Sequence, residues 1–204
     1  MKLSCSTLYI SNPVAIRHGP LGMQKQQSKE IVEYFLKLKE QGQGGSPGVN
    51  QGWKKGWDED VDPILEPLLN DVYTWYTKYI APPTNQKDYP EVMHDSLDLE
   101  VDANIWFQYS LPGEECPVHD HGVISKTSWV YYLDVGEQPS PLTFPIVNID
   151  GYGDYNVVDE THLPVYNDCI VMFPSLLPHL VHPSPTSRYI IAGNINNINY
   201  KEPQ

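Results

Sequence analysis

The sequence predicts a mainly β fold in which two helices precede an antiparallel sandwich or barrel. Helical periodicity of apolar residues is confined to two segments of the first half. In the second half, short runs of β-branched and aromatic residues alternate with Gly and Pro turns, a pattern typical of antiparallel β structure. A chain of 204 residues fits one domain of ordinary size. We therefore expect a single domain over 1–204, with helical support over 1–98 and a β core over 99–200.

The first half is predicted to hold one strand and two helices. Residues 3–10 form a strand candidate, and residues 24–40 have apolar side chains at the three- and four-residue spacing of a helix. Residues 41–57 contain six glycines and one proline, which predicts a loop. Residues 61–80 form the second helix, and a polar connection over 81–98 leads into the β core.

The second half is predicted to supply the strands of the core. Four segments are rich in β-branched and aromatic residues: 103–111, 127–135, 168–175 and 187–198. Because small β barrels enclose ligand cavities, this half of the chain is where we expect the functional site.

Charge and cysteine content exclude several classes of function. The formal net charge is −13, which disfavours nucleic acid and anionic membranes as partners, since both require clustered Lys and Arg. Cys5, Cys116 and Cys169 are widely spaced and form no CxxC pair, which favours reduced thiols. There is no long apolar segment that would indicate a secretion signal or a membrane span. We expect a cytoplasmic protein, located in the host cytoplasm if it is encoded by a phage.

A group of histidines followed by an arginine indicates the chemistry. His119 and His121 are two residues apart, so on a strand both side chains leave the same face, while Asp120 points away. His179 would complete a metal site from a distant strand. Arg188 follows nine residues after His179, and its planar guanidinium suits a carboxylate. Hence we expect a metal centre that binds a molecule with an acid group.

The remaining histidines are not predicted to be ligands. We interpret His18, His94 and His162 as exposed or hydrogen-bonded side chains. His182 is three residues from His179, which places it on the opposite face of an extended chain.

These residues together resemble the pattern of the Fe(II)/2-oxoglutarate-dependent dioxygenases, in particular the prolyl-hydroxylase-like branch. The family has a His-x-Asp pair, a distal His and then an Arg, which His119, His179 and Arg188 match. Further similarities are Tyr109 in YSLPGEECPVH and Tyr132 in VYYLD. The resemblance covers residues 100–198.

The resemblance implies a fold, two cofactors and a set of roles. The fold is a double-stranded β-helix of the jelly-roll or cupin-like type, and the cofactors are Fe(II) and 2-oxoglutarate. His119 and His179 would be iron ligands, and Arg188 would bind the C5 carboxylate of 2-oxoglutarate. Tyr132 and Tyr109 would also contact the cofactor.

The second ligand departs from the family pattern. His121 stands where the family normally has Asp or Glu, and three neutral ligands would leave Fe(II) with one more net positive charge. A subset of small bacterial and phage proteins is similar in having H-x-H before an S-x-VYYL strand, in which Ser128 fits. Asp120 is an alternative second ligand if the strand is bulged. Residues 190–192 lack the Ser or Thr that often helps to hold the cofactor, so its binding would depend more on Tyr132 and Ser128.

The resemblance implies an enzyme that hydroxylates a C–H bond, with 2-oxoglutarate and O2 as cosubstrates. It favours a protein or peptide side chain, such as prolyl, as substrate, with 41–57 or 149–163 as the lip of the site. Two alternatives stay open. One is a cupin-like metalloenzyme with histidine ligands that does not use 2-oxoglutarate, and the other is a non-enzymatic β protein of the phage type.

Overall fold

In the computed structural model of the chain, the described residues form two antiparallel β-sheets and two helices. The structure describes residues 5–11, 14–41, 51–56, 63–80, 99–122, 126–149 and 155–200. The helices are α1 (Lys25–Glu40) and α2 (Glu66–Tyr79). The strands are β1 (Ser6–Ser11), β2 (Val14–Pro20), β3 (Gln51–Gly56), β4 (Leu99–Ser110), β5 (Cys116–His119), β6 (Thr127–Asp134), β7 (Leu142–Ile149), β8 (Tyr155–Leu163), β9 (Cys169–Pro174), β10 (His179–Val181) and β11 (Arg188–Tyr200).

The strands form one large and one small sheet. The order in the seven-stranded sheet is β1-β2-β9-β6-β11-β4-β3, and in the four-stranded sheet it is β5-β10-β7-β8. All the strand pairs are antiparallel. This architecture confirms the predicted mainly β jelly-roll fold.

The large sheet is buried on both faces, because β6 and its neighbours lie between two apolar cores. Alternation along β6 turns Trp129 and Tyr131 towards one core and Val130 and Tyr132 towards the other. The first core contains side chains of α1 and α2, and the second contains apolar side chains of the small sheet, such as Phe144. The chain therefore forms three layers, with helices on one side of the large sheet and the small sheet on the other.

Both predicted helices and all five predicted strands are present, with ends that shift by a few residues. The prediction of a loop over 41–57 is wrong at Gln51–Gly56, which pairs with β4 as an edge strand. No strand was predicted at β2, which joins the large sheet beside β9, or at β7 and β8, which pair in the small sheet. The N-terminal half therefore contributes strands as well as helices to the large sheet.

The two segments predicted as a substrate lip, 41–57 and 149–163, are only partly described. Residues 42–50 and 150–154 lie outside the described residues, whereas 155–163 form β8. Neither described helix has the length and apolar character needed to cross a bilayer.

Asp168 fixes the start of α1 against the turn that precedes β9. Its carboxylate accepts hydrogen bonds from the backbone N–H groups of Gly22 and Met23, each at 2.9 Å, and from the Tyr131 hydroxyl at 3.1 Å. Asp168 adopts φ of 70°, a left-handed conformation that Asp and Asn tolerate better than most residues. This contact links the helical layer to the large sheet.

Candidate active site

A cavity of about 500 Å³ lies between the two sheets. Its wall from the large sheet consists of same-face residues on three adjacent strands, β4, β11 and β6. The small sheet closes the opposite side through β5, β7 and β10. The lining residues are Asn104, Trp106, Gln108, Cys116, Pro117, His119, His121, Val130, Tyr132, Leu142, His179, Val181, Arg188, Ile190, Ala192 and Asn194.

Strand pairing brings the three predicted histidine ligands together in this cavity. His119 ends β5 and His179 begins β10, and the two are direct partners across the antiparallel pair. His121 follows on the segment after β5, where its backbone N–H donates to the Ser175 carbonyl at 2.9 Å. One ligand atom from each of the three side chains lies within 4.8 Å of the others. The predicted constellation is therefore present as a compact group.

Backbone carbonyls set the orientation of two of these imidazoles. His119 Nδ1 lies 2.8 Å from the Pro117 carbonyl oxygen, and His179 Nδ1 lies 3.0 Å from that of Leu177. A carbonyl oxygen only accepts, so each Nδ1 carries the proton and each Nε2 has a free lone pair. Metal-binding histidines are held in this way by hydrogen bonds from the ring nitrogen that does not bind the metal.

The Nε2 atoms of two of the histidines lie at a distance that suits one shared ion. His121 Nε2 and His179 Nε2 are 3.3 Å apart. Two nitrogen ligands at about 2.1 Å from one metal ion are about 3.0–3.4 Å from each other. Burial, together with the neighbouring His119 and His121, holds the pKa of His179 well below its ordinary value, so this imidazole stays neutral as a ligand must. Asp120, the alternative second ligand, is not part of the three-histidine group. Its carboxylate instead accepts a hydrogen bond from the Gly122 backbone N–H at 2.8 Å.

A thiol lies beside the first histidine. Cys116 Sγ is 3.8 Å from His119 Nδ1. The hydrogen bond from the same nitrogen to the Pro117 carbonyl oxygen is shorter, at 2.8 Å. Burial raises the pKa of Cys116, but the His119 imidazole and the Arg188 charge outweigh it and the net shift is downward. Burial alone would lower the pKa of His119, and its contacts with Cys116 raise it instead. Cys116 is not one of the three grouped ligands.

Aromatic rings enclose the histidines. The Trp106 ring stacks on His121 with centroids 5.3 Å apart, and the Phe173 ring meets His179 edge-on at 4.7 Å. Trp129 lies on the helical side of the large sheet and does not line the cavity. These rings cover His121 and His179, of which His179 is buried and His121 is half-buried like His119.

Arg188 is a buried cation with an unsatisfied donor. Only 5 % of the residue is exposed, and its guanidinium donates to the Ser110 hydroxyl at 3.2 Å. Its Nε group is buried and has no hydrogen-bond partner, and within the described part of the chain no carboxylate forms an ion pair with it. A buried charge without a counter-ion is costly. An anionic ligand in the cavity would supply the missing charge and acceptor.

Three more residues were predicted to bind the cofactor, and they differ in their position relative to the cavity. Tyr132 lines the cavity near Arg188, is 2 % exposed, and has a pKa raised by burial against the opposing effect of the Arg188 charge. Ser128 does not line the cavity: its hydroxyl donates to Asn194 Oδ1 at 2.7 Å. Tyr109 lies on the opposite face of β4, in the helical core, where Lys39 Nζ is 4.0 Å from its ring centroid. The predicted contact of Tyr109 with the cofactor is therefore wrong. Tyr109 is three residues from Trp106 on the same strand, so its side chain leaves the opposite face of the sheet.

Several lining residues were not singled out from the sequence. Asn104 and Gln108 share the cavity face of β4 with Trp106, and Asn194 shares that of β11 with Arg188. They could have been predicted from the two-residue period of a strand, because every second residue counted from Trp106 or Arg188 faces the same side.

The described histidines that were not predicted as ligands lie outside the cavity. His182 Nε2 lies 2.9 Å from a Glu160 carboxylate oxygen, and His162 Nε2 lies 3.7 Å from the same oxygen. His18 lies on β2, and His94 is outside the described residues.

Comparison with solved structures shows that this architecture is a known one. A Pseudomonas putida prolyl-4-hydroxylase superposes with a TM-score of 0.61 at 16% identity, covering 91% of this chain and 94% of its own. The viral collagen prolyl hydroxylase of Paramecium bursaria Chlorella virus-1, solved as a 2OG complex, gives 0.54 at 9% identity, with 94% and 100% covered. The non-heme alpha-ketoglutarate-dependent epimerase SnoN from nogalamycin biosynthesis gives 0.55 at 10% identity, with 92% and 79% covered.

At these identities the likeness shows the fold, which is the double-stranded β-helix that the sequence predicted. No protein-family model matches the chain. The search of curated proteins also gives no match.

Proposed function

We propose that the chain is an Fe(II)- and 2-oxoglutarate-dependent dioxygenase that hydroxylates a C–H bond. The observation that carries the proposal is one cavity that holds both a three-histidine group and a buried arginine without a counter-ion. A metal-binding group and an anion-binding group in one cavity match a cofactor that chelates a metal at one end and bears a carboxylate at the other. Three solved structures with this fold are named as prolyl hydroxylases or as an alpha-ketoglutarate-dependent epimerase, which supports the same choice.

His119, His121 and His179 would hold the iron. Two of them have their tautomers fixed by backbone carbonyls, and imidazole nitrogen is a ligand that suits Fe(II). When bound, iron and 2-oxoglutarate would allow O2 to act as the oxidant, with one oxygen atom going to the hydroxylated substrate and the other to the succinate that forms, with carbon dioxide, from 2-oxoglutarate. The contribution of the protein is to orient the cofactor and to keep water from the reacting centre. Trp106 and Phe173 serve the second purpose.

Arg188 would hold the C5 carboxylate of 2-oxoglutarate. Its Ser110 contact engages one terminal nitrogen of the guanidinium, so the other terminal nitrogen is left as a donor for the carboxylate. Tyr132 is buried beside this charge, and its hydroxyl would be a further donor to the carboxylate. Ser128 has a supporting role, because its bond to Asn194 orients a residue of the cavity wall.

A protein or peptide side chain such as prolyl is the substrate that we favour, because two of the similar structures are prolyl hydroxylases. A cupin-like enzyme that does not use 2-oxoglutarate would leave the buried Arg188 without a function. A non-enzymatic β protein would have no need of three grouped histidines, two of them held in a fixed tautomer. The cytoplasmic location and the single domain over 1–204 stay predictions.

The proposal is tested by succinate production from 2-oxoglutarate and O2, with Fe(II)-loaded protein and a library of proline-containing peptides. We expect Fe(II)-dependent succinate in the wild type and at least about 100-fold less in His179→Ala, which removes a buried ligand. The matched control is His162→Ala, on the outer part of the small sheet, which should retain the wild-type rate. Equal rates in the two variants would count against the metal site.

A further inference from the structure

Two of the three grouped histidines are held by one short turn, residues 174–177, which joins β9 to β10 and which we call the ligand turn. The Ser175 carbonyl accepts a hydrogen bond from the His121 backbone N–H at 2.9 Å. Two residues later, the Leu177 carbonyl accepts a hydrogen bond from His179 Nδ1 at 3.0 Å. The positions of both histidines therefore depend on the position of this turn.

Burial in the ligand turn is the reverse of what the polarity of its side chains would predict. Ser175 is 1 % exposed, whereas Leu176 is 55 % exposed and Pro174 is also exposed. A buried hydroxyl group is costly unless it has a hydrogen-bond partner. The inward position of Ser175 is therefore explained by the contact that its hydroxyl makes, and apolar packing does not account for it.

The partner of the Ser175 hydroxyl lies on the large sheet. Ser128 Oγ on β6 is 2.9 Å from Ser175 Oγ and 2.7 Å from Asn194 Oδ1 on β11. A hydroxyl has one hydrogen and an amide oxygen only accepts, so Ser128 donates to Asn194 and accepts from Ser175. The Ser175 backbone N–H also donates to the Lys126 carbonyl, just before β6, at 3.2 Å. These bonds attach the ligand turn to two adjacent strands of the large sheet.

The contact between the two hydroxyls is sealed from water, because Ser128 and Ser175 are both buried. Water therefore cannot replace either partner when the other is removed. Loss of the contact would leave the ligand turn attached by backbone bonds alone, and both carbonyls that hold the histidines could shift. A metal centre is sensitive to such shifts, since its ligands must be held within about 0.5 Å of their places.

We propose that Ser175 is a positioning residue of the metal centre. Its hydroxyl, bound to Ser128, fixes the ligand turn so that His121 and His179 present their nitrogens to one ion. Ser175 acts through the two backbone carbonyls of the turn and does not itself bind the metal. This inference rests on the metal-binding part of the proposed function, since it takes the histidine group as the metal centre, and it does not depend on which cofactor binds there.

The test uses Co(II) as the metal, because its visible absorption bands change in energy and intensity with the arrangement of its ligands. The full chain is titrated with Co(II) as wild type and as Ser175→Ala. We expect the Kd for Co(II) to rise about tenfold in the variant, as when an outer partner of a metal-binding histidine is removed. We also expect the spectrum at saturating Co(II) to change. A folded variant that is only less stable would keep the wild-type spectrum at saturation.

Two further variants make the result specific. The matched control is Ser28→Ala, which removes a buried hydroxyl 3.4 Å from the Tyr131 hydroxyl on the helical side of the sheet. It should keep the wild-type Kd and spectrum. Ser128→Ala removes the proposed contact without altering the ligand turn, so it carries the test if Ser175→Ala does not fold.

The two variants of the contact should also depend on each other. Ser128→Ala should change the Co(II) spectrum as Ser175→Ala does, and the double variant should add little to Ser128→Ala, because both remove the same bond. The proposal is overturned if either folded single variant has the wild-type Kd and spectrum, or if the two effects are fully additive.

Failure of the proposed metal centre gives a different signal in the same titration. If the Co(II) spectrum of the wild type persists in His179→Ala, the histidine group is not the metal site and the proposed function fails. If the spectrum requires His179 and is unaffected by removal of the Ser175 hydroxyl, the metal centre stands and only the positioning role of Ser175 is wrong.

Discussion

Replacing Arg188 by Met should abolish tight binding of 2-oxoglutarate without destabilising the protein. Met keeps an apolar stem and removes the guanidinium. The residue is 5 % exposed, has no ion-pair partner within the described residues, and has an unpaired Nε group. Loss of the cation should cost the bound carboxylate about 3 kcal/mol, a rise of about 150-fold in Kd.

The stability of the ligand-free variant is the second half of this prediction. A buried cation without a counter-ion opposes folding, so its removal should leave the free energy of unfolding unchanged or higher. Calorimetric titration of Fe(II)-loaded protein with 2-oxoglutarate under nitrogen measures Kd, and urea unfolding measures stability. Arg17→Met is the matched control, because Arg17 is the other arginine of the chain and does not line the cavity. The reasoning is refuted if Arg188→Met binds 2-oxoglutarate within about twofold of the wild type.

Three further predictions concern the cofactor contact, the packing and the pH dependence of stability. Tyr132→Phe should weaken 2-oxoglutarate binding about fivefold in the same titration, whereas Tyr109→Phe should change it less than about twofold. Gly193→Ala should lower the free energy of unfolding in urea by about 2 kcal/mol, because the new Cβ would lie 2.7 Å from the Trp129 ring. Burial raises the pKa of Asp168, so the folded protein binds this proton more tightly and loses stability as pH rises from the ordinary value of 3.8 through the raised pKa. Asp168→Asn, which keeps an acceptor and tolerates the positive φ, should lack this dependence in urea unfolding at several pH values.

Each of these has a result that contradicts it. Equal losses of 2-oxoglutarate affinity in the two tyrosine variants would mean that Tyr109 reaches the ligand. A Gly193→Ala protein as stable as the wild type would show that the sheet relaxes around the new methyl group. A pH dependence that is the same in Asp168→Asn and wild type would assign the titration to another residue.

Local patterns were enough to predict the elements with strong periodicity. The helix over 24–40 buries a face that repeats along the sequence, and the strand over 127–135 is a run of β-branched and aromatic residues that is buried on both faces. The strand at Gln51–Gly56 has a glycine-rich sequence typical of loops, and it forms by pairing with β4, which is distant in the chain. The strand at His179–Val181 is three residues long, too short to show a period.

The site was predictable where spacing and chemistry agree. The i, i+2 spacing of His119 and His121 and the acid-binding chemistry of Arg188 both led to residues that line the cavity. Tyr109 was inferred from a resemblance alone, and the pleat of β4 turns it to the other face. Ser175 could not be identified from the sequence, because its contact with Ser128 depends on how the turn between β9 and β10 packs against the large sheet.

The most direct test of the central claim is anaerobic titration of the Fe(II)-loaded protein with 2-oxoglutarate, followed by visible absorption. Chelation of iron by the keto acid gives a weak charge-transfer band, which reports the metal and the cofactor together in one cavity. We predict a band that saturates at one 2-oxoglutarate per chain in the wild type and in Arg17→Met. In Arg188→Met the band should be lost at the concentration that saturates the wild type. Iron binding without any band in the wild type would contradict the proposed function.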